Sequence, residues 1–449
     1  MSVSDVLLMP VRITMRLLHR RRLARVVGVT VVVALAGAVA LFLWVQSYYG
    51  AAVRALNEDR LDDADSSIDS YLAVWPADRS ALLLAARIAR LQGKINRAQE
   101  HLRECERHTG MDGELQLQWL LLRAFAGEFA KVEPGLLNCL AQEPDKEPQT
   151  TLVLETIAFC SMREFRFENA LACLNRWLTR EPDTVRALDW RGWVKAKMEN
   201  KEGLYKDYHR TLELAPWHWQ TRLRLAEALL MDANVEEAAE HLELLQHGHS
   251  ETSEVMLALA QCRMLQGKEK AAQAIVDRVL ATQPHNAMAL FTKAKLAPEP
   301  ARREEWARKA LEADPALFNA RYLLYTALQQ QHRDSEAAEQ FKRYQRYTEN
   351  QKNLNGILKR LERMPRSPEL LTQAGEIFLH DGNEHFGKQF LFRALEIQPR
   401  NQKAYECLAR FYENKDPKEA ARYKKLAIQS APPAGATAHD APQASSKSR

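Results

Sequence analysis

Residues 253–284 read SEVMLALAQCRMLQGKEKAAQAIVDRVLATQP, with small Ala260, Gly267 and Ala272 at places 8, 15 and 20 and Pro284 at the close. The same places hold Ala226, Ala233 and Ala238 in 219–250, Ala86, Gly93 and Ala98 in 79–110, and Gly375, Gly382 and Gly387 in 368–399. Proline carries the beat: Pro182 to Pro216 is one step, Pro216 to Pro284 is two, and the count back from Pro144 runs through Gly110 to Pro76. A fixed step of about 34 residues marks a solenoid, in which each unit buries its apolar face only against its neighbours. Two antiparallel helices cross closely only where side chains are small. The closing proline stops the second helix and restricts the residue before it. No stretch alternates as a strand would.

In phase with this beat the chain divides into units 45–76, 79–110, 113–144, 151–182, 185–216, 219–250, 253–284, 287–315, 318–349, 368–399 and 402–429. Residues 145–150 insert a linker, and unit 287–315 is short, with Pro298 and Pro300 in its turn. Bulky Tyr325 at place 8 of 318–349 predicts a splayed helix pair. Leu354, Ile357, Leu358 and Leu361 have helical spacing, so 350–367 is expected to lengthen a second helix until Pro365 ends it.

This pattern of small residues at 8, 20 and 27 with proline at 32 resembles the tetratricopeptide repeat family. The resemblance implies an all-α, right-handed α-solenoid of about eleven helix-turn-helix repeats, preceded by one transmembrane helix. The domains expected are a basic cytoplasmic arm at 1–25, a transmembrane helix at 26–45, nine repeats over 45–349, a helical insertion at 350–367, the C-terminal repeats at 368–429 and a disordered tail at 430–449. The tail is Ala/Pro/Ser-rich and lacks the apolar groups to offset chain entropy.

Residues 26–45, VVGVTVVVALAGAVALFLWV, carry no charge. Twenty helical residues span about 30 Å, the thickness of a bilayer core. Arg20, Arg21, Arg22 and Arg25 precede the segment, and Trp44, Tyr48 and Tyr49 close it. The positive-inside rule puts the arm in the cytoplasm and the array on the periplasmic or extracytoplasmic side; a cytoplasmic array is the alternative. The apolar run exceeds the 7–15 residues of a signal-peptide h-region, which favours a signal anchor over a cleaved leader. The first unit begins at Val45 with no Gly/Pro-rich linker, so anchor and array are expected to be continuous.

Charge and chemistry narrow the function. The net charge of +5 resides in the arm 1–25, and 26–449 carries equal numbers of acids and bases. That balance disfavours a nucleic-acid partner, whose binding array would carry a basic stripe. No P-loop, H-E-x-x-H or G-x-S-x-G motif is present. The six cysteines form no C-x-x-C pair, and Cys105 and Cys139, one step apart, share one repeat slot as buried packing. His247-Gly248-His249 lacks a third ligand. No catalytic, cofactor or metal residue is expected.

In the family, places 2, 5, 9 and 12 of each first helix line the concave surface. By that resemblance the partner-binding groove consists of Arg87, Arg90, Leu121, Glu155, Phe159, Arg186, Asp189, Trp193, Glu227, Gln261, Lys295 and Tyr322, with Leu117 and Met162 in equivalent slots. Trp190, Trp193, Trp217 and Trp219 suggest a docking platform or repeat-to-repeat packing. The chain resembles single-pass bacterial envelope proteins of this family. That implies a membrane-anchored scaffold or assembly factor binding proteins or peptides, without catalysis. A regulatory subunit of an envelope enzyme complex, as in polysaccharide synthesis or secretion, is the alternative.

Overall fold

The computed structural model describes residues 35–142, 148–249 and 251–431. The basic arm, residues 26–34 of the apolar segment, linker residues 145–147 and the tail from 432 lie outside the described residues. Every regular element among the described residues is helical. The helices follow one another in pairs: Leu35–Asn57 with Leu61–Leu72, Arg79–Leu91 with Ile95–Thr109, and Gly113–Arg123 with Phe129–Gln142 across a π-turn at Ala124–Glu128. Next come Pro148–Arg163 with Phe167–Arg180, Val185–Lys197 with Lys201–Leu214, Trp219–Met231 with Val235–His249, and Ser253–Leu265 with Glu269–Thr282. Ala287–Leu296 with Pro300–Ala313, Phe318–Gln330 with Asp334–Arg363, Pro368–His380 with Glu384–Ile397, and Gln402–Tyr412 with Pro417–Ser430 complete the series. The fold is the all-α array of repeated helix hairpins that the proline beat predicts.

Local chemistry sets each hairpin. The residue before the closing proline leaves the helical region, as Ala215, Gln283, Asp314, Met364 and Gln398 do with φ between −127° and −142°, because the proline ring excludes the α conformation there. Asp78, Asp112, Asn286, Ser367 and Asn401 then cap the next first helix, each accepting an N–H three residues on at 2.8–3.3 Å. Such caps contribute about 1 kcal/mol each. Place 15 carries a left-handed backbone in nine units, at Asp59, Gly93, Gly127, Phe165, Glu199, Ala233, Gly267, His332 and Gly382. Glycine adopts this conformation freely, but five of the nine have side chains and hold it against a steric cost.

The crossing points are tight. Ala52, Ala64, Ala86, Ala98, Ala226, Ala238, Ala260 and Ala272 are all buried. A Cβ on Gly192, at place 8 of its unit, would lie 2.5 Å from the Tyr208 ring. Gly192→Ala is therefore expected to lower stability by about 1–3 kcal/mol. Gly135→Ala, in a helix with open space around it, is expected to raise stability by about 1 kcal/mol. Urea unfolding of the two variants checks the contrast. Tyr325 does not splay its pair. Its ring turns onto Phe341 at 4.7 Å and Tyr322 at 5.7 Å, leaving Leu324, Leu328 and Ala337 to form the close contact.

The chain divides into two compact units, residues 1–160 with 174–188, and 161–173 with 189–449. In the first, Val45, Ala52, Ala55 and Leu56 pack with Ile68, Tyr71, Ala85 and Ile88. The helix carrying them covers Leu35–Asn57 among the described residues, and ahead of Val45 its Leu35, Val39, Phe42, Leu43 and Trp44 side chains are more than half exposed. One helix thus carries a bare apolar segment straight into the first repeat. It is long and apolar enough to cross a membrane.

In the second unit a long-range contact joins its first residues to its later repeats. Phe165 inserts its ring among Phe378, Phe386 and Phe390 at centroid distances of 5.6, 4.9 and 6.2 Å. Glu164 pairs with Arg393 at 2.9 Å, and the Glu168 N–H donates to Glu362 at 3.1 Å. The long helix Asp334–Arg363 makes this possible, because its last turns supply buried Leu354, Ile357 and Leu361 to the same cluster.

Candidate functional site: the first-helix faces

In the first unit, Arg87, Arg90, Leu121, Glu155, Phe159 and Arg186 converge; Glu155 pairs with Arg87 and Arg186, while Arg90 Nε and Nη2 are buried with no hydrogen-bond partner among the described residues. Glu155, fully buried, accepts from Arg87 Nε and Nη2 at 3.1 Å and from Arg186 Nη1 at 2.7 Å. Arg186 also donates to Asp59 Oδ1 at 2.6 Å and to the Leu56 carbonyl at 3.1 Å. Burial by itself would raise the Glu155 carboxyl, but the charges of Arg87 and Arg186 outweigh it and hold the carboxyl below its usual range. Burial acts to lower Arg186, and Asp59 and Glu155 overcome it, so the guanidinium is raised. Arg90 lies inside the protein, giving Nη1 to Gln118 at 3.0 Å and lying over the Phe125 ring at 5.4 Å. Burial lowers it to about 10, with Glu155 opposing and Arg87 adding to the shift. Phe159 stacks on Phe125 at 4.4 Å, and Leu121 is buried. These side chains are committed to the interior of the unit. Arg87 alone among the four charged groups stays partly exposed, on a cavity of about 430 Å³ that it shares with Arg186.

The second unit differs. Asp189 is buried and accepts from Thr221 Oγ1 and Arg224 Nη1 at 2.6 Å. Trp193 meets the Phe167 edge at 5.8 Å with the Lys197 ammonium 5.4 Å from its ring. Trp219 stacks on His249, and Trp217 is exposed in a turn; among the described contacts the tryptophans form no common platform. Cys105, Cys262 and Cys407 are free thiols, and among the described residues no cluster of side chains suits a metal.

Glu227, Gln261 and Lys295, by contrast, are exposed and line one groove of about 400 Å³. Glu254, Leu257, Met264, Met288 and Phe291 line it too, and these five with Glu227, Gln261 and Lys295 occupy places 2, 5, 9 or 12 of units 219–250, 253–284 and 287–315. Ser253, Ala258, Asn286 and Thr292, at other places, complete the lining. Glu254, Leu257, Met264, Met288 and Phe291 were passed over by the sequence reading, although the same four places find them. Tyr322, also exposed, belongs to a separate aromatic stack with Tyr325 and Tyr344.

The groove is acidic at one end and apolar along its floor. Glu227 makes no hydrogen bond or ion pair among the described residues. Crowding by protein raises its carboxyl above the usual range; Arg224 and Lys197 oppose the shift and Glu254 adds to it. At the other end the Lys295 ammonium lies 5.8 Å from the Phe291 ring. Such a surface offers acceptors for a cation beside apolar contact area, and the Ser253 hydroxyl on its wall donates to Glu254 Oε2 at 3.1 Å.

No family model and no curated protein matches the sequence. Solved structures do. The chain is similar to a tetratricopeptide repeat protein from Parabacteroides merdae, at 17% identity over 63% of this chain and 98% of that one, with a TM-score of 0.35. It is similar to human IFIT1, solved as a dimer with m7Gppp-AAAA, at 14% identity over 78% and 90% of the two chains, with a TM-score of 0.38. YrrB, described as a tetratricopeptide repeat protein with an unusual peptide-binding site, shares 16% identity over 41% and 95%, with a TM-score of 0.33.

Proposed function

We propose that this chain is a membrane-anchored interaction scaffold. Its groove across Trp219–Met231, Ser253–Leu265 and Ala287–Leu296 would hold an extended peptide segment carrying a basic side chain beside apolar ones. The observation that carries the reading is the unpaired, crowded Glu227 next to Glu254, above a floor of Leu257, Met264, Met288 and Phe291. A lysine or arginine of the partner supplies the missing counter-charge, and apolar neighbours cover the floor. The bare apolar stretch Leu35–Trp44, continuous with the first repeat, supports a bilayer as the anchor. The basic arm ahead of it supports an array on the extracytoplasmic face. A scaffold of this design holds a partner near the membrane by surface complementarity and needs no covalent chemistry.

The test uses the full chain in non-ionic detergent micelles and two fluorescent peptides, one alternating Lys with Leu and Phe, the other with Glu in place of Lys. The Lys peptide is expected to bind with a Kd of about 1–100 μM and the Glu peptide at least about tenfold more weakly, a difference of ~1.4 kcal/mol. Because the Glu227 carboxyl is raised, it loses its charge earlier on acidification than an ordinary glutamate. Binding of the Lys peptide should therefore fall with pH from above the usual glutamate range, and Glu227→Gln should flatten that fall. Equal affinity for the two peptides would overturn the reading.

A further inference from the structure

A second cavity lies elsewhere in the second unit, between the turn at Pro315, the helices Phe318–Gln330 and Asp334–Arg363, and the end of Pro368–His380. It encloses about 320 Å³ and is lined by Arg321, Arg343, Arg346, Tyr347, Asp381 and Gly382, among others. Three guanidinium groups face this space with one carboxylate. Asp381 is already held, accepting from Asn350 Nδ2 at 2.7 Å and Gln351 Nε2 at 2.9 Å with His380 Nδ1 at 3.2 Å, itself on the cavity wall.

The arginines differ in what they have. Arg343 pairs with Glu339 on its own helix. Arg321 reaches only neutral acceptors, Gln340 Oε1 at 3.2 Å and the Pro315 carbonyl at 3.3 Å. Arg346 is exposed and has no hydrogen bond or ion pair among the described residues. Burial lowers the Arg321 guanidinium, and the charge of Arg343 lowers it further, with no acid to oppose them. Like charges crowded in a half-enclosed space repel, and an anion relieves that repulsion.

The walls are firm. Phe318 stacks on Tyr347 at 4.2 Å and 15°, with Tyr344 behind. Gly382 takes φ 89°, and a Cβ there would come within 3.1 Å of Ala316, so the floor admits no larger residue without a shift. Planar arginine forks favour the two-point geometry of phosphate oxygens. The volume stands at the lower end for small-molecule pockets and exceeds a bare phosphate, which leaves room for an ester group against Tyr347.

We propose that this cavity is a binding site for a phosphate monoester, with Arg321 and Arg346 on the phosphate oxygens and the Phe318–Tyr347 stack flanking the remainder. The ester is either a soluble metabolite or a lipid headgroup, and the two sources present the same dianion.

Calorimetric titration of the full chain in non-ionic micelles with phenyl phosphate tests the soluble source. Flotation with phosphatidylcholine vesicles containing phosphatidate tests the lipid one. Saturable binding with a Kd below about 1 mM is expected in at least one arm, weakened about tenfold or more by Arg346→Gln. Arg346 has no partner to lose among the described residues, so this variant keeps its fold; Arg321→Lys, which keeps the charge but loses the fork, should weaken binding less. Arg302→Gln, outside the cavity, should leave binding unchanged. Unaltered affinity in Arg346→Gln, equal binding of succinate, or no saturable binding in either arm would overturn the assignment.

Discussion

Glu155→Ala is expected to destabilise the first unit by about 3–5 kcal/mol, because it strands charges inside the protein. Arg186 is almost wholly buried and would keep only Asp59 and the Leu56 carbonyl, and Arg90 would lose the charge that offsets Arg87. Such a loss is about a fifth or more of a typical domain's stability. Glu155→Gln keeps the shape and one acceptor and should cost less. The pH dependence follows from the direction of the shift. The Glu155 carboxyl is held below its usual range, so its stabilising share is complete above the unfolded pKa and is lost as pH falls through the folded one. Glu155→Gln lacks that share of the acid loss. Hydrogen exchange, read separately on peptides from 148–160 and 253–265, should show fast exchange in the first and not the second. Equal protection of both in Glu155→Ala would remove the network from the account.

Phe165 gives the second large effect, and its sign between two variants is unusual. Phe165→Ala removes a ring that touches Phe378, Phe386 and Phe390 while keeping a side chain at φ 60°. Truncating a fully buried phenylalanine costs about 3–5 kcal/mol, and this ring is half-buried, so a loss of about 2–3 kcal/mol is expected. Phe165→Gly loses the same ring but relieves the left-handed backbone. It should therefore be more stable than Phe165→Ala by up to about 1 kcal/mol, the reverse of the usual order. Urea midpoints of the two variants decide this, with exchange in 378–390 reporting whether the contact has opened.

The repeat boundaries and the close crossings were legible because each depends on neighbours in sequence: a proline at the end of a unit, and a small side chain where two adjacent helices touch. The groove at Glu227, Gln261 and Lys295 was legible for the same reason, since three successive units repeat one geometry. Glu155 was not. Its place in the unit shows which face it occupies, but its contact with Arg87, two repeats earlier, depends on small rotations summed from one unit to the next. The Phe165 contact with Phe378 is hidden in the same way. The left-handed backbone at Asp59, Phe165, Glu199, Ala233 and His332 was hidden by chemistry, because glycine is the usual mark of that conformation and these residues are not glycine. The capping residues that follow each proline, such as Asn286 after Pro284 and Asn401 after Pro399, were readable and went unread.

A charge-swap cycle across the groove tests the central claim most directly: binding of the Lys and Glu peptides is measured with the full chain and with its Glu227→Lys variant. The account expects each single swap to weaken binding by about tenfold and the double swap to recover most of it, a coupling of ~2–3 kcal/mol. Losses that simply add, with no recovery in the double swap, would contradict it.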